Sequence, residues 1–345
     1  MIIQFGNKLS KKGKSESFME SLNPKLKSEG FACSMYSDKR SVFFRMLDMV
    51  FELLKHRKMV ELVIIHSFST LAFWYTFFIT LISKGLNLPL VIVLHGGDYP
   101  RRLKKYPVAC RLIFKNANLN ISPSLYLQRA FQKEGYEVVY VPNFVDITAC
   151  PYMVHQSNSI NLLWVRAFSE IYNPLLFVEI VQLLSSQGYE VNAAMVGPDS
   201  DGSLQNVRMK IIELQLENKV LITGKLEKQE WFELSKNYSY FINTTNSDNR
   251  PISVIEAMAL GLPVISTNVG GLPDLIEHNV NGVLVNPNQA PLFVDAILKL
   301  YENPTLYKTL AETARHNVMQ FDWRELKDVW LNLIYTHKRD LDIKG

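Results

Sequence analysis

The chain has 345 residues, 48% of them hydrophobic and 20% charged, enough for two domains of ordinary size, each with its own core. No proline-rich or glycine/serine-rich tract interrupts it, which excludes disorder and fibrous repeats. The net charge of +4 is uneven: residues 1–150 carry 21 Lys/Arg against 11 Asp/Glu (+10), leaving 16 against 22 (−6) for the rest.

A basic N-terminal half suits an anionic lipid surface or a phosphorylated acceptor. It has no DNA- or RNA-binding motif beside it, so nucleic acid is not expected as a partner. Cys33, Cys110 and Cys150 are an odd number at no metal-ligand spacing. The first residues start a strand rather than the charged-then-apolar profile of a signal peptide. A reducing, cytoplasmic compartment is expected.

Short apolar runs rich in Val and Ile recur at 2–5, 62–65, 90–94, 138–141, 162–165, 191–196, 220–223, 240–243, 264–267 and 282–285. Buried parallel strands have this pattern. Helical stretches such as 15–29 and 174–187 alternate with them, which implies βαβ units wound into two parallel sheets. The aperiodic segment 147–159, with Pro151 and Gln156, is the expected linker. Domains are therefore expected at 1–150 and 151–320, with a helical segment at 321–345 packing back towards the first.

In chain order, the first strand leads into Gly6-Asn-Lys-Leu-Ser-Lys-Lys-Gly13-Lys14-Ser15. The Gly-Lys-Ser ending imitates a nucleotide-hydrolase phosphate loop, but the first glycine such a loop needs is replaced by Lys8. The helix over 41–58 joins a broad apolar face to the basic end Lys55 to Lys58, and Arg101-Arg-Leu-Lys-Lys105 adds a second cluster. Such a helix either lies in an anionic membrane surface or covers the sheet. Residues 63–86 are apolar enough to hint at a membrane span, yet His66 and the serines fit a strand followed by a buried crossover helix better. Val93-Leu-His95-Gly96-Gly97-Asp98 sits at a strand end, where ligands of open α/β sheets collect. Asp199-Ser-Asp201 mimics a metal-binding Asp-x-Asp but lies between Gly197-Pro198 and Gly202, as a solvated turn would.

The most informative stretch is Asn243-Thr-Thr-Asn-Ser-Asp248-Asn-Arg-Pro-Ile252-Ser253-Val-Ile-Glu256-Ala-Met-Ala-Leu-Gly261-Leu-Pro263, followed after one more strand by Gly270-Gly271. It reads as strand, loop, short helix and strand. Ser253 is the expected N-cap, so that the helix start, with Ile252, offers free N–H groups to an anion such as a diphosphate. Ser253 and Glu256 equally satisfy the capping-box spacing.

This stretch resembles the acidic-x7-Glu signature of the glycosyltransferase family 4 group, retaining enzymes of the GT-B fold, with Asp248 and Glu256 at its two acidic positions. The resemblance implies an α/β fold of two Rossmann-like, doubly wound domains facing a cleft, and transfer of a sugar from a nucleotide-sugar donor. Further matches carry it along nearly the whole chain. Arg166 stands where the family's arginine clamps the donor phosphates. The lysine expected five residues later is replaced by Ile171, and Asn173, before Pro174, is either a neutral donor contact or a helix cap. Val141-Pro-Asn-Phe-Val-Asp146 resembles the family's hinge.

The resemblance implies His95 and Asp248 as the catalytic residues beside the sugar, and Arg166, Asn173, Ile252, Ser253 and Glu256 as donor-binding. Gly6, Gly13, Gly96 and Gly97 would line the acceptor side. No metal or other cofactor is required on this reading, because Arg166 and a helix dipole take the leaving diphosphate's charge. The acceptor would be a glycan, a lipid-linked molecule or a small molecule, in polysaccharide or glycoconjugate biosynthesis, with a lipid-linked acceptor reached peripherally from the inner face of the cell membrane. A non-catalytic nucleotide-sugar binder and an epimerase-like relative stay open, since Asp248 replaces the usual Glu and the lysine is missing.

Overall fold

The computed structural model describes residues 1–8, 10, 16–153 and 159–339. Gly13 and most of the candidate phosphate loop lie outside the described residues, as does much of the expected linker. The chain forms two compact units: residues 1–143 with 326–345, and 144–325.

The first unit is a six-stranded parallel sheet in the order β2-β1-β3-β4-β5-β6. Its strands are β1 (Ile2–Phe5), β2 (Cys33–Tyr36), β3 (Leu62–Ser67), β4 (Leu90–Leu94), β5 (Leu119–Ser122) and β6 (Val139–Tyr140). Its helices are α1 (Phe18–Ser28), α2 (Val42–His56), α3 (Phe73–Gly85), α4 (Tyr99–Lys105), α5 (Pro107–Phe114) and α6 (Leu125–Lys133). Ser17 caps α1 in a capping box with Glu20, which fixes where the chain leaves the loop after β1. The apolar stretch at 63–86 is β3 followed by α3, and no helix among the described residues is long and apolar enough to cross a membrane.

The second unit holds β7 (Ile160–Val165), β8 (Val191–Val196), β9 (Val220–Gly224), β10 (Tyr240–Asn243), β11 (Val264–Thr267) and β12 (Val283–Val285). They form a parallel sheet in the order β12-β11-β10-β7-β8-β9. Around it lie α7 (Pro174–Ser186), α8 (Ser203–Glu213), α9 (Lys228–Ser235), α10 (Ile252–Leu260), α11 (Ala290–Tyr301) and α12 (Pro304–Val318). Two apolar clusters cover its faces, one built on α7 and α11, the other on α10 and its neighbours. The last helix, α13 (Trp323–His337), belongs to the first unit from Leu326 onward; its Trp330 is buried beside Phe18 and its Tyr335 packs on Phe31.

The unit boundary falls at 143/144, earlier than the expected 150. Phe144 packs its ring on Trp323 and the Val145 N–H donates to the Phe321 carbonyl, which ties this segment to the second unit. Two strands escape the apolar-run criterion. β2 is an edge strand, Cys-Ser-Met-Tyr, only half buried. β5 buries Asn120 and Ser122, whose side chains donate to backbone carbonyls and so make polar residues tolerable inside.

Candidate functional site

In both sheets the strand order reverses beside the first strand. β7 lies between β8 and β10 in the second unit, and β1 between β2 and β3 in the first. Loops leaving the carboxyl ends of strands on either side of such a point diverge and leave a crevice, the usual ligand position in open α/β sheets.

In the second unit, β7 and β10 pair in parallel, so Arg166 after one and Asp248 in the loop after the other meet although 82 residues apart. The Arg166 guanidinium donates through Nη2 to Asp248 Oδ2 and lies over the Tyr172 ring, with Cζ 3.9 Å from its centroid. A planar cation can bond in its plane and stack on its face at once. Its Nε is buried with no hydrogen-bond partner.

Asp248 is held independently. Its Oδ1 accepts from the Asn249 N–H at 2.7 Å, and its carbonyl accepts from the Gly271 N–H at 3.1 Å. Gly270 has φ +57°, and a Cβ there would stand 1.9 Å from the Asp248 carbonyl oxygen. Only glycine allows that approach. The loop is bonded to the turn at 170–172, because the Asn246 N–H donates to the Ile171 carbonyl and Thr244 Oγ1 to that of Tyr172. Ile171 itself is 46% exposed where a lysine was expected.

Two expectations at α10 are corrected. The N-cap is Pro251, with no side-chain cap bond, so Ser253 is the second helical residue rather than the cap. Pro251 takes the extended conformation that ends the loop and Ile252 already turns into helix, one residue before serine could cap. Consequently Glu256 forms no capping box. It lies within the helix, 4% exposed, and its Oε1 is 2.7 Å from Lys228 Nζ at the start of α9. Ser253 Oγ is buried with no hydrogen-bond partner, and the half-buried Ile252 packs against the core. The cap residue thus offers no side-chain bond to the helix start, which has a buried hydroxyl in its first turn.

Asn173 occupies the N-cap position of α7 in a left-handed conformation, yet its side chain makes no cap bond. Nδ2 donates instead to Asn288 Oδ1 at 2.8 Å. The Asp-x-Asp pair serves the turn it lies in. Asp199 accepts from the Gly202 N–H, while Asp201 accepts from Ser169, Ser203 and the Glu170 N–H. The hydroxyls of Ser203 and Ser169 hold the Asp201 carboxyl below the usual carboxylate range. No cluster of three potential metal ligands occurs among the described residues.

In the first unit, His95 follows β4 with its N–H bonded to the Ser67 carbonyl. Its Nε2 is 3.0 Å from Nδ1 of His66, near the end of β3. Phe18 and Phe68 flank its ring at 5.6 and 5.3 Å between centroids. Burial holds His95 down at about 3. Burial, and then the nearby His95, hold His66 well below the usual histidine value. Both rings are neutral at pH 7. A Cβ on Gly6 would stand 2.9 Å from His66 Cβ, and one on Gly96 would stand 2.3 Å from the Ser69 nitrogen, so both glycines permit close packing here. The Gly97 carbonyl accepts from the Tyr126 hydroxyl at 3.5 Å. His66, Tyr172 and Lys228 were not legible as site residues. The strand-end rule that selected His95 could have selected His66, which pairs in register with Val93.

Comparisons with known proteins agree with the two-sheet architecture. An uncharacterized glycosyltransferase of Methanocaldococcus jannaschii is 23% identical over 252 residues, 71% of this chain and 68% of that protein. The N-acetyl-alpha-D-glucosaminyl L-malate synthase of Bacillus anthracis is 28% identical over 167 residues, 47% of this chain, and the match spans 42% of that enzyme's length. Among solved structures, Anabaena HepE in complex with UDP-glucose superposes with a TM-score of 0.80 at 19% identity, over 97% of this chain and 99% of that one. The sucrose-phosphate synthase of Thermosynechococcus elongatus gives 0.83 at 16% identity over the same shares, and these likenesses establish the GT-B fold. The model of the glycosyl transferases group 1 matches residues 154–317, and that of glycosyltransferase family 4 matches residues 33–149. One family pair thus accounts for both units, and the chain belongs to the group 1, family 4 glycosyltransferases, enzymes that use nucleotide sugars.

Proposed function

We propose that the second unit binds the diphosphate and ribose of a nucleotide sugar, and that the enzyme transfers the sugar with retention to a glycan or lipid-linked acceptor. The observation that carries this is the meeting of Arg166 and Asp248 at the strand-order reversal, just before the start of α10, whose cap residue is Pro251. Arg166 and the N–H groups of Ile252 and Ser253 take the diphosphate. Glu256, exchanging Lys228 for a ligand, accepts from the ribose hydroxyls. Asp248 orients the sugar. Asn173 contributes only if it releases Asn288.

Transfer breaks the bond from the anomeric carbon to the diphosphate oxygen, which leaves with the electron pair. The acceptor oxygen bonds to that carbon on the same face and its proton passes to the leaving phosphate. Arg166 and the helix start stabilise the developing negative charge, the task a divalent ion performs elsewhere, so we expect no metal requirement. In the first unit, neutral His95 pairs by a hydrogen bond with a sugar hydroxyl.

We further propose peripheral binding to an anionic membrane through α2, in a reducing, cytoplasmic compartment suited to three free, buried cysteines. α2 buries only Arg45, Met49 and Leu53, while Phe43, Phe44, Leu47, Phe51 and Leu54 are exposed between 40% and 62%. Lys55, Arg57 and Lys58 follow at its end. A helix that merely covers a sheet does not leave three phenylalanines in solvent.

Incubating the full chain with a panel of nucleotide sugars, starting from UDP-glucose because HepE was solved with it, and detecting released nucleotide tests the proposal. Turnover of at least one donor is expected. Absence of both turnover and thermal protection across the panel would overturn the donor-site reading.

A further inference from the structure

A buried chain of hydrogen bonds runs from α1 to His95. Gln4 Nε2 donates to Asn23 Oδ1 at 3.3 Å, Gln4 Oε1 faces His66 Nε2 at 3.1 Å, and His66 Nδ1 faces His95 Nε2 at 3.0 Å. Gln4, Asn23 and His66 are all almost fully buried, at 0%, 4% and 1% exposure. Side chains this deep survive only when their hydrogen bonds are met, and each link constrains the next.

From this we infer that Asn23, Gln4 and His66 are positioning residues that set the tautomer of His95, so that it carries its proton on Nε2 and presents Nδ1 as a bare acceptor. An amide oxygen only accepts, so His66 Nε2 carries a hydrogen towards Gln4 Oε1. A neutral imidazole holds one hydrogen, so His66 Nδ1 is bare. The nitrogen facing it, His95 Nε2, therefore donates, and His95 Nδ1 is left unprotonated. Among the described residues nothing donates to that Nδ1. Asn23 is the far end of the chain: if its amide turned round, Gln4 would turn as well, each donor in the chain would become an acceptor, and His95 would present an N–H instead.

A ring fixed in this way accepts a hydrogen bond from a sugar hydroxyl and cannot serve as a proton donor through Nδ1. This consequence rests on the reading of His95 as facing a sugar, but the tautomer itself does not. Gly6 belongs to the same device, since a Cβ there would stand 2.9 Å from His66 Cβ and its absence lets the chain after β1 pack against His66. Tyr75 completes the enclosure by donating its hydroxyl to the His66 carbonyl at 2.6 Å.

Long-range proton–nitrogen NMR of the histidine-labelled full chain at pH 7 distinguishes the tautomers. The Nε2–H form is expected at both His66 and His95. Asn23→Asp, whose carboxylate can only accept from Gln4, is expected to leave both patterns unchanged, whereas Asn23→Leu frees Gln4 to turn and gives His95 a mixture of forms. A wild-type His95 in the Nδ1–H form, or a switch between forms on Asn23→Asp, would overturn the proposal. If Asn23→Leu fails to fold, the wild-type and Asn23→Asp spectra decide alone. If the tautomers are as expected and no nucleotide sugar is turned over, the relay stands and only the reading of His95 as facing a sugar fails.

Discussion

At the scale of single residues, Asp248 and His95 are held by different means, and the difference predicts how each responds to change. Asp248 receives Arg166 and a backbone N–H, and its loop is fixed through Gly270. Asp248→Asn keeps the shape but removes the charge that orients the sugar as its anomeric carbon becomes positive. We expect kcat to fall by about 10-fold or more with donor affinity changed much less. A loss confined to affinity would move Asp248 from the sugar to the phosphates. His95 has a pKa of about 3 when folded against 6.5 when free, so on acidification the unfolded chain takes the proton first. Its contribution to stability therefore declines as pH falls below about 6.5 and levels off near 3. Because His95 is only half-buried, the effect is modest. His95→Asn is expected to give a shallower fall in Tm between pH 7 and pH 5, with the remaining slope due in part to His66. Parallel curves would show that His95 is not held neutral.

Among the elements, α2 and α4 shape the membrane prediction. Arg102 is already engaged, since Nε donates to the Ser69 carbonyl and Cζ lies over the rings of Phe73 and Tyr106. Its removal would damage the fold. The charges open to an anionic surface are Arg101, Lys104 and Lys105 with those at the end of α2. We expect salt-sensitive sedimentation with anionic but not neutral vesicles, each cation near the surface contributing about 1 kcal/mol. Phe44→Ser with Phe51→Ser should reduce it, as should neutralising Arg101, Lys104 and Lys105. A protein that stays in the supernatant with anionic vesicles at low salt would contradict membrane binding and favour a soluble acceptor.

Elements were legible from the sequence where burial favours a short, mainly apolar run, as in β4, β8, β10 and β11, whose bounds match the expected ones. β2 and β5 were not legible, because an edge and hydrogen-bonded polar side chains relax that demand. Of the candidate site, Arg166 and Asp248 were legible as motif positions. Their contact was not, since it depends on β7 and β10 becoming neighbours. Lys228 gave no signal at all: a lysine at a helix start looks like any surface cation until Glu256 is found buried next to it. The misplaced cap at Ser253 shows the limit of a local rule, for Pro251 ended the loop first.

For the whole molecule, two separate family matches and two doubly wound sheets mean that the second unit should bind the nucleotide by its own residues. With Asp199 and Asp201 committed to their turn, activity should survive excess EDTA. Recovery only on adding manganese or magnesium would contradict this and reopen those aspartates as metal ligands. The most direct measurement of the central claim is calorimetric titration of the full chain, in EDTA, with the nucleoside diphosphate of whichever donor it turns over, comparing wild type with Arg166→Ala and Glu256→Gln. Each variant is expected to keep the wild-type circular dichroism and lose about 10-fold or more in affinity, on the order of 1.4 kcal/mol or above. Affinities unchanged in both variants would contradict the assignment of the donor site to the carboxyl ends of β7 and β10.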